Sequence, residues 1–488
     1  MNPLKKLLGQ TAIYGLSSIV GRLLNYLLVP LYTRYFTTSE YGDVTVLYAY
    51  AAFLLIILSY GMETAFFRFS QREPNKRVVY STALISLLIS SSLFVGLIYF
   101  NAQSIANALS FGQNPEYIQY FAFIIGLDTL SSISFAKLRE NNQATRFALI
   151  RLLNIFINIG LNLLFIIYCP FAIANNLPTA DFIQSFYSPD ISIGYIFIAN
   201  LVAAVVTLLM LLPEMSQSIW RFDKVVWRKM MVYALPLMVA GLAGITNETI
   251  DRILLQHLLP NDISASEIGL YSAFYKLSII MTLFVQTFRF AAEPFFFSQE
   301  KERNAKQVYA QAMKYFSVVT AFIFLSVMIY YDVVKQFIGS SFHDERGAII
   351  VPILLLANLF LGLYYNLSVW YKLTEKTQYG AYMSLLGATI TVVLNLALIP
   401  CLGFVGSALA TLCCYFLMAV CSYFLGQKHY PIPYHLKRIS LYFGLMLGFY
   451  FLSIYLSLGM GINTLFLIVY IAVVYVLEKP KKRVISKP

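Results

Sequence analysis

The sequence predicts an all-α polytopic membrane protein of about 14 transmembrane helices, built as two parallel six-helix lobes plus two C-terminal helices. Three observations predict it. Hydrophobic residues make up 59% of the 488 residues and charged residues 12%, about half the charged share of a water-soluble domain, and the mean hydropathy is +0.70. Apolar runs of bilayer-spanning length, about 20 residues, recur along the whole chain. The loops between them alternate between basic and nearly base-free.

The expected spans are 10–33, 42–66, 78–100, 117–137, 147–169, 191–213, 229–254, 267–290, 314–334, 348–371, 378–400, 404–426, 438–457 and 461–478. The first carries Arg22 and Asn25 and lacks a small-residue cleavage site, so Lys5 and Lys6 precede a retained helix rather than a signal peptide. Even-numbered loops hold the bases: Arg68, Arg72, Lys76 and Arg77 in the second, Lys137, Arg139 and Arg146 in the fourth, Arg221, Lys224, Arg228 and Lys229 in the sixth. The pattern continues through Lys301 and Arg303, Lys372 and Lys376, and Lys428 and Lys437, to the tail with Lys479, Lys481, Lys482 and Arg483. Odd-numbered loops hold only Arg34, Arg252, Lys335 and Arg346. A miscount by one helix destroys this alternation downstream. By the positive-inside rule both termini lie in the cytoplasm, on the inner side of the cytoplasmic membrane. The formal charge of +12 then serves orientation and contact with anionic lipid headgroups, not nucleic acid.

The sixth loop places Trp220 and Trp227 among Arg221, Lys224 and Arg228, which reads either as a basic amphipathic stretch on the membrane interface or as a solvated linker. It divides the chain into an N-terminal six-helix lobe (1–215), a cytoplasmic interfacial linker (216–230), a C-terminal six-helix lobe (231–427), and two extra transmembrane helices with a basic tail (428–488). The five cysteines form no C-x-x-C pair and read as small apolar fillers. The four histidines are scattered, so no metal or cofactor is expected.

The two halves resemble each other. Glu40-Tyr41-Gly42 precedes one long apolar run and Glu267-Ile268-Gly269 another. Glu63-Thr64-Ala65-Phe66-Phe67 ends the second segment and Glu293-Pro294-Phe295-Phe296-Phe297 the eighth; Leu161-Asn162-Leu163 is matched by Leu394-Asn395-Leu396, and Arg34 by Arg252. The order and shared spacing of these pairs indicate a six-helix repeat, parallel because an even helix number preserves orientation. Repeats of this kind in transporters bind substrate at their interface and rock one half against the other.

Charges inside the spans carry the functional expectation. A charge at a membrane helix centre costs roughly 2.5–3.5 kcal/mol, so it persists where it meets another charge, a wet cavity or a charged ligand. By depth, Arg22 and Asp128 lie near the midplane and Lys276 toward the outer half, with Glu248 and Asp251 farther out. Arg34 and Arg252 lie at the outer rim, while Arg151, Arg68, Arg289, Glu63 and Glu293 lie near the cytoplasmic mouth. The cations Arg22, Lys276, Arg151, Arg34 and Arg252 read as a path for an anionic group such as a phosphate or pyrophosphate. Asp128 reads as a counter-ion to Arg22. Asp251 and Glu248 read as coupling-ion ligands or as local helix-end partners of Arg252. Asn154, Asn158 and Asn162 line one helix face as interhelical glue or cavity lining, and Pro236 with Gly241 and Gly244 marks a bend in the seventh segment.

Arg34 followed by Ser39-Glu40-Tyr41-Gly42, and Asp251-Arg252-Ile253-Leu254-Leu255 followed by Glu267-Ile268-Gly269-Leu270-Tyr271-Ser272-Ala273, resemble the Wzx-type polysaccharide and O-antigen flippases of the multidrug/oligosaccharidyl-lipid/polysaccharide (MOP) exporter superfamily. The resemblance implies two six-helix lobes plus two terminal helices, and translocation of an undecaprenyl-pyrophosphate-linked oligosaccharide from the cytoplasmic to the outer face, for surface polysaccharide or lipopolysaccharide O-antigen. It implies a lipid-linked oligosaccharide and membrane lipids as partners, with the polysaccharide polymerase and glycosyltransferases of the same synthesis, and a monomer. The alternative is an ion-coupled multidrug or cation antiporter of the related MATE type, for which an acidic cavity is expected; here deep bases match or outnumber deep acids. A membrane glycosyltransferase, polymerase or ligase needs a sizeable outer loop, and the longest, near Cys169–Ser192, is only about 20 residues. The expected activity is therefore transport rather than catalysis.

Overall fold

The computed structural model describes residues 20–21, 23–300, 302–456 and 459–479. Arg22 and residues 10–19 of the first expected segment lie outside the described residues; the end of that segment is the helix Leu28–Tyr35. Among the described residues the chain is all-α without a strand, and 13 helices are long and apolar enough to cross a membrane. They follow the expected segments in order from the second to the fourteenth.

Contacts divide the chain into two compact units, Met1–Ser272 and Ala273–Pro488. In the first, the helix Pro115–Glu140 is central: 78% of its most apolar stretch is buried, and it packs against Lys76–Phe100, Gly194–Ser216 and Thr38–Ser59. The second unit is organised around Gly347–Leu373, 67% buried on the same measure, which packs against Phe404–His429 and Ile279–Gln299. These are the fourth and tenth segments, the same position in each repeat. Protein rather than lipid surrounds them, so they tolerate polar side chains that an outer helix excludes.

The repeated glutamate-x-glycine motif has a structural explanation. Glu40 closes a capping box with Thr37: its carboxylate accepts from the Thr37 amide (2.9 Å) while Thr37 Oγ1 accepts from the Glu40 amide (3.2 Å). Such a cap stabilises a helix start by about 1 kcal/mol. The other carboxylate oxygen accepts from Ser192 Oγ at 2.6 Å, tying down the fifth loop. Gly42 then permits a neighbouring backbone to approach where any side chain collides.

The second span is broken. Thr38–Ser59 ends at Tyr60 and Gly61, both left-handed (φ 34° and 71°), before Met62–Ser70 resumes. A β-carbon on Gly61 would lie 2.9 Å from the Ala234 carbonyl oxygen, so glycine satisfies both the turn and the packing. The eighth segment, expected at 267–290, is instead two consecutive helices, Asn261–Leu277 and Ile279–Gln299. Between them the Ser278 amide and hydroxyl both donate to the Tyr275 carbonyl, at 3.2 and 2.8 Å. Lys276 sits two residues before this break. The seventh helix, Lys224–Leu258, runs through Pro236 without interruption for 35 residues, about 52 Å at the helical rise. Ahead of it, residues 218–223 form a non-helical strap. Ser81 Oγ accepts from the Ile219 amide and Thr82 Oγ1 from the Asp223 amide, and the Asp223 side chain caps the seventh helix.

Candidate functional site: a polar cavity inside the first unit

A cavity of about 460 Å³ opens inside the first unit. The fourth helix contributes Asp128, Ser131, Ser132 and Phe135, the fifth Arg151 and Asn154, the sixth Asn200 and Thr207, and the broken second span Ser59, Gly61, Glu63 and Thr64. Asp128 lies at the middle of its 26-residue helix. Ser131 and Ser132, three and four residues later, repeat on the same face.

Asp128 and Arg151 are both accessible, and both line this space. Among the described residues neither is part of an ion pair within 4.0 Å. The Arg151 guanidinium lies 4.2 Å above the Phe135 ring, with Phe147 at 5.7 Å. This cation–π platform orients its donors without consuming them. Ser131 is 3% exposed, and its hydroxyl has no hydrogen-bond partner. Two opposite charges held apart, with an orphan hydroxyl beside them, leave hydrogen-bonding capacity that water or a ligand must satisfy.

The surrounding groups are fixed by hydrogen bonds. Asn154 donates to the Ala203 carbonyl (3.0 Å) and Thr207 Oγ1 (2.8 Å) on the sixth helix. One helical turn apart, Asn162 donates to the Asn158 side chain at 3.0 Å and accepts from the Tyr32 hydroxyl at 3.0 Å. The asparagine stripe thus divides: Asn162 is interhelical glue, and Asn154 both joins helices and lines the cavity. Asn200 donates to the Tyr48 hydroxyl at 2.9 Å.

At the end bearing the basic loops, Arg139 Nη1 pairs with Glu63 Oε1 at 2.5 Å. The second unit repeats the arrangement: Lys372 Nζ pairs with Glu293 Oε1 at 2.8 Å, and Arg289 stacks 4.4 Å over Tyr365. Asn366, 5% exposed, leaves its Oδ1 unpartnered there. The two sites share a sequence signature, Lys137-Leu138-x-Glu140-x-x-Gln143 and Lys372-Leu373-x-Glu375-x-x-Gln378, which sets Asn366 opposite Ser131 and Leu363 opposite Asp128. The second cavity is only about 20 Å³, room for one water.

The remaining predicted residues lie elsewhere. Arg22 is outside the described residues. Lys276 is half-buried, in the second unit. Arg34 is exposed, at the end of Leu28–Tyr35. Asp251 and Arg252 are buried together: Arg252 Nη1 donates to Asp251 Oδ1 (2.7 Å) and to the Glu248 backbone carbonyl (2.8 Å), and the Tyr271 hydroxyl donates to Asp251 Oδ2 (2.7 Å). None of Arg34, Glu248, Asp251 and Arg252 lines the cavity. Sequence reasoning named Asp128 and Arg151 but did not pair them, and it missed Ser131, Ser132, Asn200 and Thr207. The usable signal was depth: only Asn141–Gln143 separates the two helices. Counting back from that turn puts positions 128 and 151 on consecutive helices about 8 Å apart in depth.

This architecture has known counterparts. The structure matches that of the lipid II flippase MurJ in an inward closed conformation with a TM-score of 0.74 at 13% identity, over 95% of this chain and 98% of that one. It matches an inward-facing multidrug resistance MATE transporter of the MOP superfamily at 0.62 and 12%, over 88% and 95%. A MOP superfamily transporter from Pyrococcus furiosus, described as having a binding pocket of reversed polarity, matches at 0.55 and 13%, over 89% and 96%. At these identities the likeness establishes the fold, that of the MOP-superfamily transporters and flippases. No curated protein sequence matches the chain significantly. The model of the family described as "Polysaccharide biosynthesis protein" matches residues 7–299, more than half of the sequence, and the chain is therefore a multi-pass membrane protein belonging to that polysaccharide biosynthesis family.

Proposed function

We propose that this protein flips an undecaprenyl-pyrophosphate-linked oligosaccharide across the cytoplasmic membrane by alternating access, for surface polysaccharide or lipopolysaccharide O-antigen synthesis. The observation that carries the reading is the polar cavity with Asp128 and Arg151 facing it unpaired. A membrane bundle that serves only structure closes such a space or neutralises its charges. The family's description as polysaccharide biosynthesis and the fold shared with a lipid II flippase support the same substrate class.

In this reading both termini are cytoplasmic, the lobes divide at the linker 216–230, and the monomer works beside the polymerase and glycosyltransferases of its pathway. Arg22, Lys276 and Arg151, with Arg34 and Arg252 at the outer rim, guide the pyrophosphate, for which Arg offers forked donors and Lys a point charge. Asp128 supplies the counter-charge while the cavity is empty. Asp251, already held by Arg252 and Tyr271, takes up a coupling ion only if that pair opens, and Glu248 lies one turn away. A second reading, an ion-coupled antiporter for cationic drugs, is favoured by the accessible carboxylate of Asp128. The deciding experiment is proteoliposome transport of a labelled lipid-linked oligosaccharide from the host. Saturable translocation supports the flippase. Translocation of a cationic dye under an ion gradient, with none of the lipid, supports the antiporter.

A further inference from the structure

We infer that the cavity of the first unit is a saccharide subsite, which grips a sugar of the lipid-linked substrate separately from its pyrophosphate. The inference rests on the flippase reading and names the part of the substrate that this cavity takes. A pyranose presents hydroxyls around its rim, each both donor and acceptor. The cavity offers complementary groups on several sides: an acceptor-only carboxylate (Asp128), a donor-only guanidinium (Arg151), hydroxyls and carboxamides. Its volume, about 460 Å³, falls within the range of about 300–1,000 Å³ typical of small-molecule sites.

The Ser131 hydroxyl adds an unpartnered group at the cavity wall. It is almost fully buried, has no partner, and lines the cavity beside Asp128. A neutral hydroxyl of a ligand bridges Asp128, Ser131 and Arg151 without displacing a salt bridge, because none is there to displace. An aromatic cation fits poorly. Phe135 is the one aromatic ring among the lining residues, its face is already covered by Arg151, and that guanidinium repels a cation. The repeat supplies a contrast: the second unit has Leu363 and Asn366 in place of Asp128 and Ser131, and the space beside Asn366 is about 20 Å³.

The test uses the full-length protein in lipid nanodiscs and the free oligosaccharide released by mild acid from the host's own lipid-linked pool, with binding measured by titration calorimetry. The wild type is expected to bind it saturably. Ser131→Ala is expected to weaken binding roughly tenfold and Asp128→Asn by more, as losses of one neutral and one charge-assisted hydrogen bond. Asn366→Ser in the second unit is expected to leave binding unchanged. Each variant is compared at an unchanged melting temperature, and if Asp128→Asn fails to fold, Ser131→Ala carries the test. No binding of the free oligosaccharide by a wild type that still transports the lipid-linked form overturns the saccharide subsite and leaves the flippase reading intact. Equal binding in all variants also overturns the subsite. Asp128-dependent binding of tetraphenylphosphonium in place of the oligosaccharide overturns both.

Discussion

Gly42 and Gly269, repeat-related residues 227 positions apart, pack backbone to backbone. A β-carbon on Gly42 would lie 1.8 Å from the Ala265 carbonyl oxygen, and one on Gly269 would lie 1.8 Å from that of Thr38. The contact is reciprocal, since Ala265 stands to Thr38 as Gly269 stands to Gly42. Thr45 and Ser272, separated by the same 227 positions, bond hydroxyl to hydroxyl at 3.1 Å one turn along. Two copies of one motif thus meet about a local two-fold axis. Because the obstruction is main-chain carbonyl rather than a flexible side chain, the helices must separate to admit a methyl group. Overpacking of this kind costs about 1–3 kcal/mol. Gly42→Ala and Gly269→Ala are each expected to lower the melting temperature in detergent and to abolish export of surface polysaccharide. Export at wild-type levels in either variant contradicts the close approach.

The same seam is open to covalent locking. Thr38 Oγ1 and Ser266 Oγ are 2.7 Å apart, so cysteines at these positions lie within reach of disulfide geometry. The seam lies at helix ends opposite the basic loops, where the proposed alternating access requires movement. Oxidation of the Thr38→Cys, Ser266→Cys double variant is expected to form an intramolecular cross-link and to stop transport in proteoliposomes, with reductant restoring it. A cross-linked protein that still transports would show that the seam stays closed throughout the cycle.

The helices were legible in the sequence because span length and loop charge are properties of single segments. The repeated glycines were legible as a motif, but nothing in one sequence says that Gly42 meets Gly269 rather than a third helix. The breaks at Tyr60 and Ser278 were hidden for a different reason: both lie inside expected spans, where hydropathy carries no information about φ and ψ. The cavity was half legible. Asp128 and Arg151 stood out as charges in apolar context. Ser131 and Thr207 did not, because a hydroxyl in a membrane helix usually bonds its own backbone one turn back, as Thr129 does to Ile125 at 2.8 Å. Only packing distinguishes the hydroxyl left without a partner.

The Asp251–Arg252 pair separates a structural from a coupling role. Both residues are buried, and the carboxylate accepts from Tyr271 as well as Arg252. Removing one partner of a buried pair typically destabilises by about 3–5 kcal/mol. Asp251→Asn is therefore expected to lower the melting temperature sharply, and Tyr271→Phe, which removes one neutral hydrogen bond, to cost about 1 kcal/mol. A coupling role adds a second signature: in any Asp251→Asn protein that folds, transport no longer responds to an imposed ion gradient. A variant with normal melting and normal gradient response excludes both roles.

Lys276 tests the cation path. It is half-buried and sits two residues before the Ser278 break, where the eighth segment's helical bonding is interrupted. Replacing it by alanine removes the charge. Lys276→Ala and Arg22→Ala are each expected to abolish export of surface polysaccharide at near-normal protein levels, and Lys276→Arg to retain part of it, since the charge survives in a different donor geometry. In proteoliposomes the wild type is expected to respond to membrane potential, and uncouplers to slow flipping. Full export by both alanine variants would remove the role assigned to a basic path.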